Sequence, residues 1–268
     1  MAETGEATGS DEDESKDRMF VTALARGLDV LRAFGPRDNL LGNQDLAQRT
    51  GLAKPTICRM THTLTKLGYL RFNPQMEKYQ LGTAVLALGY AALANMDIRR
   101  IARPFMQEMA VETNASVSMG NRDRASMVYV ESSRGRGPVT LNLDVGSRIP
   151  LATTAMGRAY LCAIDETERA ELMDALKARH TTDWTAIRNG IEQAQKDYQT
   201  FGFTMSTGEW QAEIHAVGRA IVLPDGGGVV ALNCGAAHYL MPRHKLETFF
   251  GPRLIEVARR IEAAMARV

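Results

Sequence analysis

The chain has 268 residues, enough for two domains, and its 45% hydrophobic and 24% charged content is ordinary for a globular protein in water. Its longest apolar stretch, residues 84–96, is too short to span a bilayer. The N-terminus lacks the basic start and apolar core of a secretory signal, and the three cysteines are far apart without a CxxC pair. These features argue against membrane-spanning and secreted proteins, and we expect a cytoplasmic location.

Charge is distributed unevenly, although the net charge is only +1. Residues 1–18 are acidic, polar and small, which predicts a disordered tail. Residues 19–81 hold nine Lys or Arg against four acidic residues, a local excess of five positive charges. A basic segment in a near-neutral protein is typical of a DNA-binding domain, although an ordinary solvated surface can have the same charge.

The segment after the tail has the pattern of a winged helix-turn-helix. An apolar stripe that ends at Gly35 predicts a first helix from Val21. A second helix is expected over residues 44–50 with Asn43 as its N-cap, and a third over residues 54–67. This arrangement places the third helix in the DNA major groove.

Two short strands, residues 69–72 and 78–81, flank a turn and predict a β-hairpin wing, which completes a DNA-binding domain over residues 19–82. The apolar helix expected over residues 83–97 needs a partner surface. We therefore expect a linker that also forms a homodimer together with the first helix, and further pairing through the C-terminal domains.

Residues 98–268 predict a second domain of the α+β class, in which helices precede, separate and follow the strands of an antiparallel sheet. Such a sheet often binds a small molecule on one face. The expected strands are 115–119, 127–131, 139–143, 214–223 and 229–235, and the expected helices are 98–112, 153–164, 166–178, 184–198 and 242–267.

Motifs of several enzyme classes are missing from the sequence. There is no G-x-S-x-G, no Walker loop and no H-E-x-x-H, and the histidines lack metal-ligand spacing. We therefore expect no enzyme activity, no cofactor and no metal. An enzyme without a known motif and a purely structural interaction module remain alternatives, which a DNA-binding test separates from a regulator.

Several segments together resemble the isocitrate-lyase-regulator (IclR) family of bacterial transcriptional regulators. They are residues 23–31 in the first helix, 51–60 in the third, 67–70 and 79–82 in the wing, and 146–159 in the second domain. The resemblance implies a GAF-like effector-binding domain, operator binding as a dimer or dimer of dimers, and control of a catabolic operon. The chain departs from the family pattern at Met156 and Ala216, where other members carry a smaller residue and a cysteine.

Candidate DNA contacts come from the polar face of the third helix and from cations on the first helix and the wing. Arginine can read guanine, threonine can bond a base or a phosphate, and lysine mainly contacts phosphate. The alternative for each residue is an ordinary solvated surface. The candidates are Lys54, Thr56, Arg59 and Thr63 for the third helix, and Arg26, Arg71 and Lys78 for backbone contacts.

The resemblance also implies an effector pocket in the second domain. Independently, an exposed loop at residues 146–150 precedes a helix whose first N–H groups are free, and a helix N-terminus attracts anions, so a carboxylate effector is reasonable. The alternative is that Thr153 simply caps that helix. We expect Trp210 to be a packing or rim residue. The implied pocket residues are Leu141, Ile149, Thr154, Ala155, Met156, Ser206, Ala216, Asn233 and Gly235.

Overall fold

A computed structural model of the chain describes residues 19–36, 38–135 and 143–267. It divides into two compact units with a boundary between Ala92 and Leu93. The tail predicted at residues 1–18, the candidate Leu141 and most of the strand predicted at 139–143 lie outside the described residues.

The first unit begins with three helices: α1 (Thr22–Arg32), α2 (Asn43–Thr50) and α3 (Lys54–Lys66). Gly51 ends α2 in the left-handed region, at a φ of 71°, and the chain then turns into α3. One apolar side from each helix and from the segments around them enters a common core, made of Val30, Leu41, Leu46, Ile57, Leu64 and Leu70.

The start of α2 differs from the prediction. Asn43 is the first helical residue and Gly42 is the N-cap, so the prediction of Asn43 as N-cap was wrong. The cap is made instead from inside the helix, where Asp45 Oδ2 accepts a hydrogen bond from the Gly42 N–H at 2.9 Å.

The predicted wing is present as an antiparallel hairpin of β1 (Leu70–Asn73) and β2 (Lys78–Leu81). Asn73 Oδ1 stabilises the turn by accepting the N–H groups of Gln75 and Met76 at 3.0 and 3.1 Å. The winged helix-turn-helix prediction is thus confirmed.

The apolar helix α4 (Thr83–Ala94) contains no charged residue, and none of its residues is buried in the described chain. It ends three residues before the predicted end at residue 97, and Asp97 begins α5 (Asp97–Thr113). No helix among the described residues is long and apolar enough to cross a membrane.

The second unit is built on one antiparallel sheet of six strands. The strands are β3 (Ser116–Asp123), β4 (Ser126–Arg134), β5 (Arg148–Pro150), β6 (Thr204–Thr207), β7 (Ile214–Val222) and β8 (Val229–Ala237). Their order in the sheet is β5-β4-β3-β8-β7-β6, and together with its helices this sheet confirms the predicted α+β class.

Helices cover both faces of this sheet. On one face α5 and the C-terminal helix α9 (Gly251–Met265) enclose a large apolar core. On the other face α6 (Ala155–Ala163) lies against β7 and β8 and packs on α8 (Trp184–Phe201), with α7 (Glu166–Arg179) between them in the chain.

Two strands and one helix break were not predicted. β5 and β6 have only three and four residues, too few to show a period of two. The helix predicted over residues 242–267 instead starts with a single turn at Arg243–Lys245 and a π-helical turn at Leu246–Phe250. The ring of Phe203 occupies the place of a Cβ at Gly251, and this close packing coincides with the break.

Candidate DNA-binding surface and ligand cavity

The exposed side of α3 is polar and contains no acidic residue. Lys54, Arg59 and Thr63 are exposed and Thr56 is half-buried, and the spacing of residues 56, 59 and 63 places them on one side of the helix. Thr63 Oγ1 donates to the carbonyl oxygen of Arg59 at 2.9 Å, so this hydroxyl keeps only its acceptor capacity for a partner. The structure therefore brings Thr56, Arg59 and Thr63 onto one side of α3, whereas Lys54 is exposed at its first position.

The wing adds further positive charge. Arg71 pairs with Gln80 and Lys78 pairs with Asn73 in the hairpin register, which places both cations on one face of the hairpin. Arg71 is exposed, whereas Lys78 is half-buried with its Nζ 3.9 Å from Asp45 Oδ2. Arg26 is exposed on α1.

A small cavity lies in the second unit between the start of α6 and the sheet face beneath it. Its volume is about 20 Å³, room for about one water molecule. Three residues outside the predicted pocket set, Tyr129, Trp210 and Ile214, complete its wall. The predicted residues that line it are Ile149, Thr154, Ala155, Ser206, Ala216 and Asn233.

Two other pocket candidates do not line this cavity. Met156 is fully buried in the core on the same side of the sheet, and its Sδ lies 2.7 Å from the place of a Cβ on Gly120 of β3. Gly235 pairs with Ala216 in the register, beside the cavity wall.

The start of α6 is capped by Thr154. Its Oγ1 accepts the Gly157 N–H at 3.2 Å and donates to the carbonyl oxygen of Pro150 at 2.7 Å. The alternative that Thr153 caps this helix is therefore wrong. Ala155, the first residue of this helix, lines the cavity, and the first turn of a helix has N–H groups without intrahelical acceptors.

An ion pair between the buried Arg158 and the partly exposed Glu209 holds the loop that carries Trp210. Arg158, whose side chain is only 3% exposed, donates from Nη1 to Glu209 Oε1 at 2.7 Å and from Nε to the Ala152 carbonyl at 3.0 Å. Burial by itself raises the pKa of Glu209, but the hydrogen bond and charge of Arg158 outweigh it and leave this pKa below its ordinary value of 4.5. Ser206 Oγ lies 3.1 Å from Glu209 Oε2, which connects the pair to the cavity wall.

Tyr129 and Asn233 form the polar part of the cavity on the sheet side. Asn233 Nδ2 donates to the Tyr129 hydroxyl at 3.4 Å. Burial raises the pKa of Tyr129, so the phenol remains neutral and keeps its proton.

The strand pattern contained a signal for Tyr129, because alternation places it on the same sheet face as Met127, two residues earlier. Ile214 begins β7, and nothing in its local sequence indicates that the strand end meets α6. Among the residues that the structure describes, no group of three His, Cys, Asp or Glu could hold a metal ion.

The sequence matches two family models: the IclR helix-turn-helix domain over residues 23–74 and the bacterial transcriptional regulator IclR C-terminal domain over residues 90–263. The HTH-type transcriptional regulator TsaQ1/TsaQ2 of Comamonas testosteroni is 32% identical over 248 residues, covering 92% of this chain and 89% of that protein. An IclR family transcriptional regulator from Brucella abortus has a crystal structure with 45% identity and a TM-score of 0.87, covering 93% of this chain and 94% of that one.

At the level of the fold, the chain is also similar to an IclR homolog from Microbacterium hydrocarbonoxydans that was crystallised with 4-hydroxybenzoate. That likeness has 18% identity and a TM-score of 0.69, covering 92% of this chain and all of that chain (100%). The matched families and relatives are transcriptional regulators and not enzymes. The structure contains the winged helix-turn-helix, and the C-terminal family model matches more than half of the chain. The chain therefore belongs to the IclR family of DNA-binding transcriptional regulators.

Proposed function

We propose that the chain is a cytoplasmic regulator of a catabolic operon whose binding to a specific operator changes when a small organic acid enters the cavity beside α6. Residues 19–82 act as the DNA-binding domain, residues 83–97 as the linker and dimerisation helix, and residues 98–268 as the effector-binding domain. The observation that carries the proposal is the acid-free polar face of α3 with Arg59 at its centre. The face suits a phosphate-lined groove, and arginine can read a base edge within it.

The chemistry of the cavity supports an effector with a carboxylate group. Ala155 in the first turn of α6 lines the cavity, and Ile149 and Ala216 supply apolar wall. A carboxylate at a helix start gains from both the free N–H groups and the helix dipole. The Microbacterium homolog of the same fold, which was crystallised in complex with 4-hydroxybenzoate, supports an aromatic acid.

The small volume of the cavity connects ligand binding to a change of conformation. A space of about 20 Å³ cannot hold an organic acid, so ligand entry requires movement of the wall. Trp210 is the wall residue on an irregular segment, since β6 ends at Thr207 and β7 begins at Ile214. A ligand that binds only the widened form has different affinities for two states, which is the requirement for shifting an equilibrium.

A dimer follows from the exposed apolar surface of the first unit. Leu24 is 62% and Leu28 45% exposed on α1, and Leu86 is 73% and Leu88 58% exposed on α4. An apolar groove of about 460 Å³ runs between α1, α3 and Leu88. A surface of this kind is an aggregation liability unless a partner covers it, and a second copy of the chain would also supply the second recognition helix for a two-fold operator. Pairing of two such dimers through the second units would give a tetramer.

Leu88→Glu is expected to convert the dimer into a monomer, because it places a charge in the apolar contact. The matched control is Met76→Glu, at a wing residue that is 57% exposed, and this variant should remain dimeric. Light scattering at micromolar concentration measures both. A monomeric wild-type chain would contradict the proposed dimer.

Arg59→Ala is expected to weaken binding to the specific operator by about 10- to 100-fold and to relax base preference at one position in each half-site. Arg71→Ala should weaken binding to all DNA sequences alike and lower the slope of the salt dependence by about one. Fluorescence anisotropy at several salt concentrations measures both effects, on an operator isolated from randomised DNA.

The control for this series is Arg188→Ala, which removes an exposed cation on α8 of the second unit. It should leave affinity and salt slope unchanged. Unchanged operator affinity for Arg59→Ala would remove this residue from the DNA contacts, and an absence of any preferred sequence would contradict the proposed function.

A further inference from the structure

One polar atom at the cavity wall lacks a partner. Asn233 is only 6% exposed, its Nδ2 bonds to Tyr129, and its Oδ1 has no hydrogen-bond partner in the described part of the chain. Most buried polar groups in proteins are paired, since an unpaired carbonyl loses its bonds to water without replacement. Because Asn233 lines the cavity, its unpaired acceptor indicates a bond to a group that enters when the cavity widens.

A polar side chain is unexpected at the position of Asn233 in the sheet. It lies in the middle of β8, paired with Ser118 on one side and Gly218 on the other, so its side chain is not needed to complete the ladder. Its chain neighbours Leu232 and Cys234 are fully buried in the core on the opposite sheet face. Asparagine is disfavoured in strands, and an apolar residue here would avoid the unpaired carbonyl, so stability alone does not account for it.

The hydroxyl groups nearby do not serve this carbonyl. Tyr129 receives the amide N–H of Asn233 and also bonds with Ser118, and the Ser118 and Ser132 hydroxyl oxygens lie 3.1 Å apart. These hydroxyls bond to one another, and none of them donates to Asn233 Oδ1. The partner that this oxygen lacks is therefore a hydrogen-bond donor.

We infer that the cavity selects an effector with a hydroxyl in addition to its acid group, and that Asn233 Oδ1 accepts the hydrogen bond from this hydroxyl. The inference rests on the proposed effector function and assigns the ligand class: hydroxy acids in preference to the same acids without the hydroxyl. A carboxylate oxygen cannot take this place, because two acceptors would face each other. The carboxylate lies instead at the start of α6, beside Ala155.

A single water is the competing occupant, since the volume of the cavity suits one. An acid without a hydroxyl either displaces this water and leaves Oδ1 unpaired, or must accommodate the water. A hydroxy acid replaces the water with an equivalent bond. The hydroxy acid should therefore bind about tenfold more tightly, which corresponds to about 1.4 kcal/mol.

The test uses the full-length Trp184→Phe protein, in which Trp210 is the single tryptophan and its fluorescence reports cavity occupancy. It is titrated with matched pairs: 3- and 4-hydroxybenzoate against benzoate, and lactate against propionate, with phenol as a hydroxyl donor without an acid. The inference expects the hydroxy acid to bind about tenfold more tightly in at least one pair. In Asn233→Leu the preference should disappear, while the unsubstituted acid of that pair still binds and so shows that the variant is folded.

The matched control is Asn121→Leu. Asn121 Oδ1 is also buried without a partner, but it lies on β3 and not in the cavity wall, so this variant should keep the preference. Equal affinities within every pair, or a preference that survives Asn233→Leu, would overturn the inference and leave the acid effector in place. If phenol binds in a way that depends on Asn233 and none of the acids binds, the proposed acid group of the effector is overturned and the hydroxyl contact with Asn233 is supported. If no probe binds, both are overturned.

Discussion

Gly157→Ala is expected to destabilise the second unit by about 3 kcal/mol and to lower its melting temperature by roughly 10 °C. Gly157 lies in the first turn of α6, where a Cβ would overlap the carbonyl oxygen of Leu151 and lie 2.6 Å from its Cα. Leu151 is fully buried, and backbone atoms cannot turn aside as the end of a side chain can. The added methyl group must therefore push α6 away from the segment that leads into it, and Ala155 moves with the helix.

Tryptophan fluorescence follows this unfolding, because both tryptophans, Trp184 and Trp210, belong to the second unit. The control is Gly42→Ala in the first unit, where the nearest atoms to an added Cβ, on Asp45 and Lys78, lie at ordinary contact distances of 3.6 and 3.8 Å. Its φ of −86° also suits alanine, so this control should leave the melting of the second unit unchanged. A wild-type melting temperature for Gly157→Ala would show that α6 is not held this closely.

Glu209→Gln is expected to destabilise the second unit by about 2 kcal/mol at neutral pH. Removing one partner of a buried ion pair leaves the other charge uncompensated, which costs about 3–5 kcal/mol, and the 39% exposure of the Glu209 side chain reduces this. The charge left behind is that of Arg158, which is 3% exposed. The same substitution should also loosen the segment that carries Trp210.

Glu192→Gln is the matched control, because the Arg188–Glu192 pair has the same N–O distance of 2.7 Å but is exposed at both ends, 60% and 47%. Its effect should be below about 1 kcal/mol. Urea unfolding of both variants measures the difference. Equal effects would show that the burial of Arg158 does not determine the strength of its pair.

The effect of Glu209→Gln should also depend on pH. The folded-state pKa of Glu209 lies below its ordinary value of 4.5, so its ion pair stabilises the protein above about pH 4.5. This contribution is lost as the pH falls through the lower, folded-state pKa. The stability difference between wild type and variant should therefore be constant above about pH 5 and shrink below about pH 4, whereas a constant difference would contradict the pair as its cause.

The sequence alone was sufficient for the winged helix-turn-helix and for the central strands. Their apolar residues recur with the periods of a helix or a strand over several turns or pairs, and Gly51 marks the end of α2. Local signals can also mislead by one residue where two residues compete for one role. Asn43 lost the capping position of α2 to Gly42 with Asp45, and Thr154 rather than Thr153 caps α6.

The candidate cavity was only partly predictable. The resemblance to the family supplied six wall residues, but Tyr129 and Ile214 enter the wall because β4 and β7 face the start of α6, and no local pattern contains that pairing. Met156, two residues after Thr154, turns into the core over Gly120 and not towards the cavity. The side that a residue takes near a helix start depends on the exact capping residue, which only packing determined.

The sequence by itself determined the long helices and strands, where the basic module lies and to which family the chain belongs. These depend on interactions between residues close in the chain and on recurring motifs. Only the tertiary structure decided the short strands β5 and β6, the break at Gly251, the pairing of Arg158 with Glu209 and the unpaired carbonyl of Asn233. Each of these depends on atoms that are far apart in the chain and meet only when the sheet and its helices have packed.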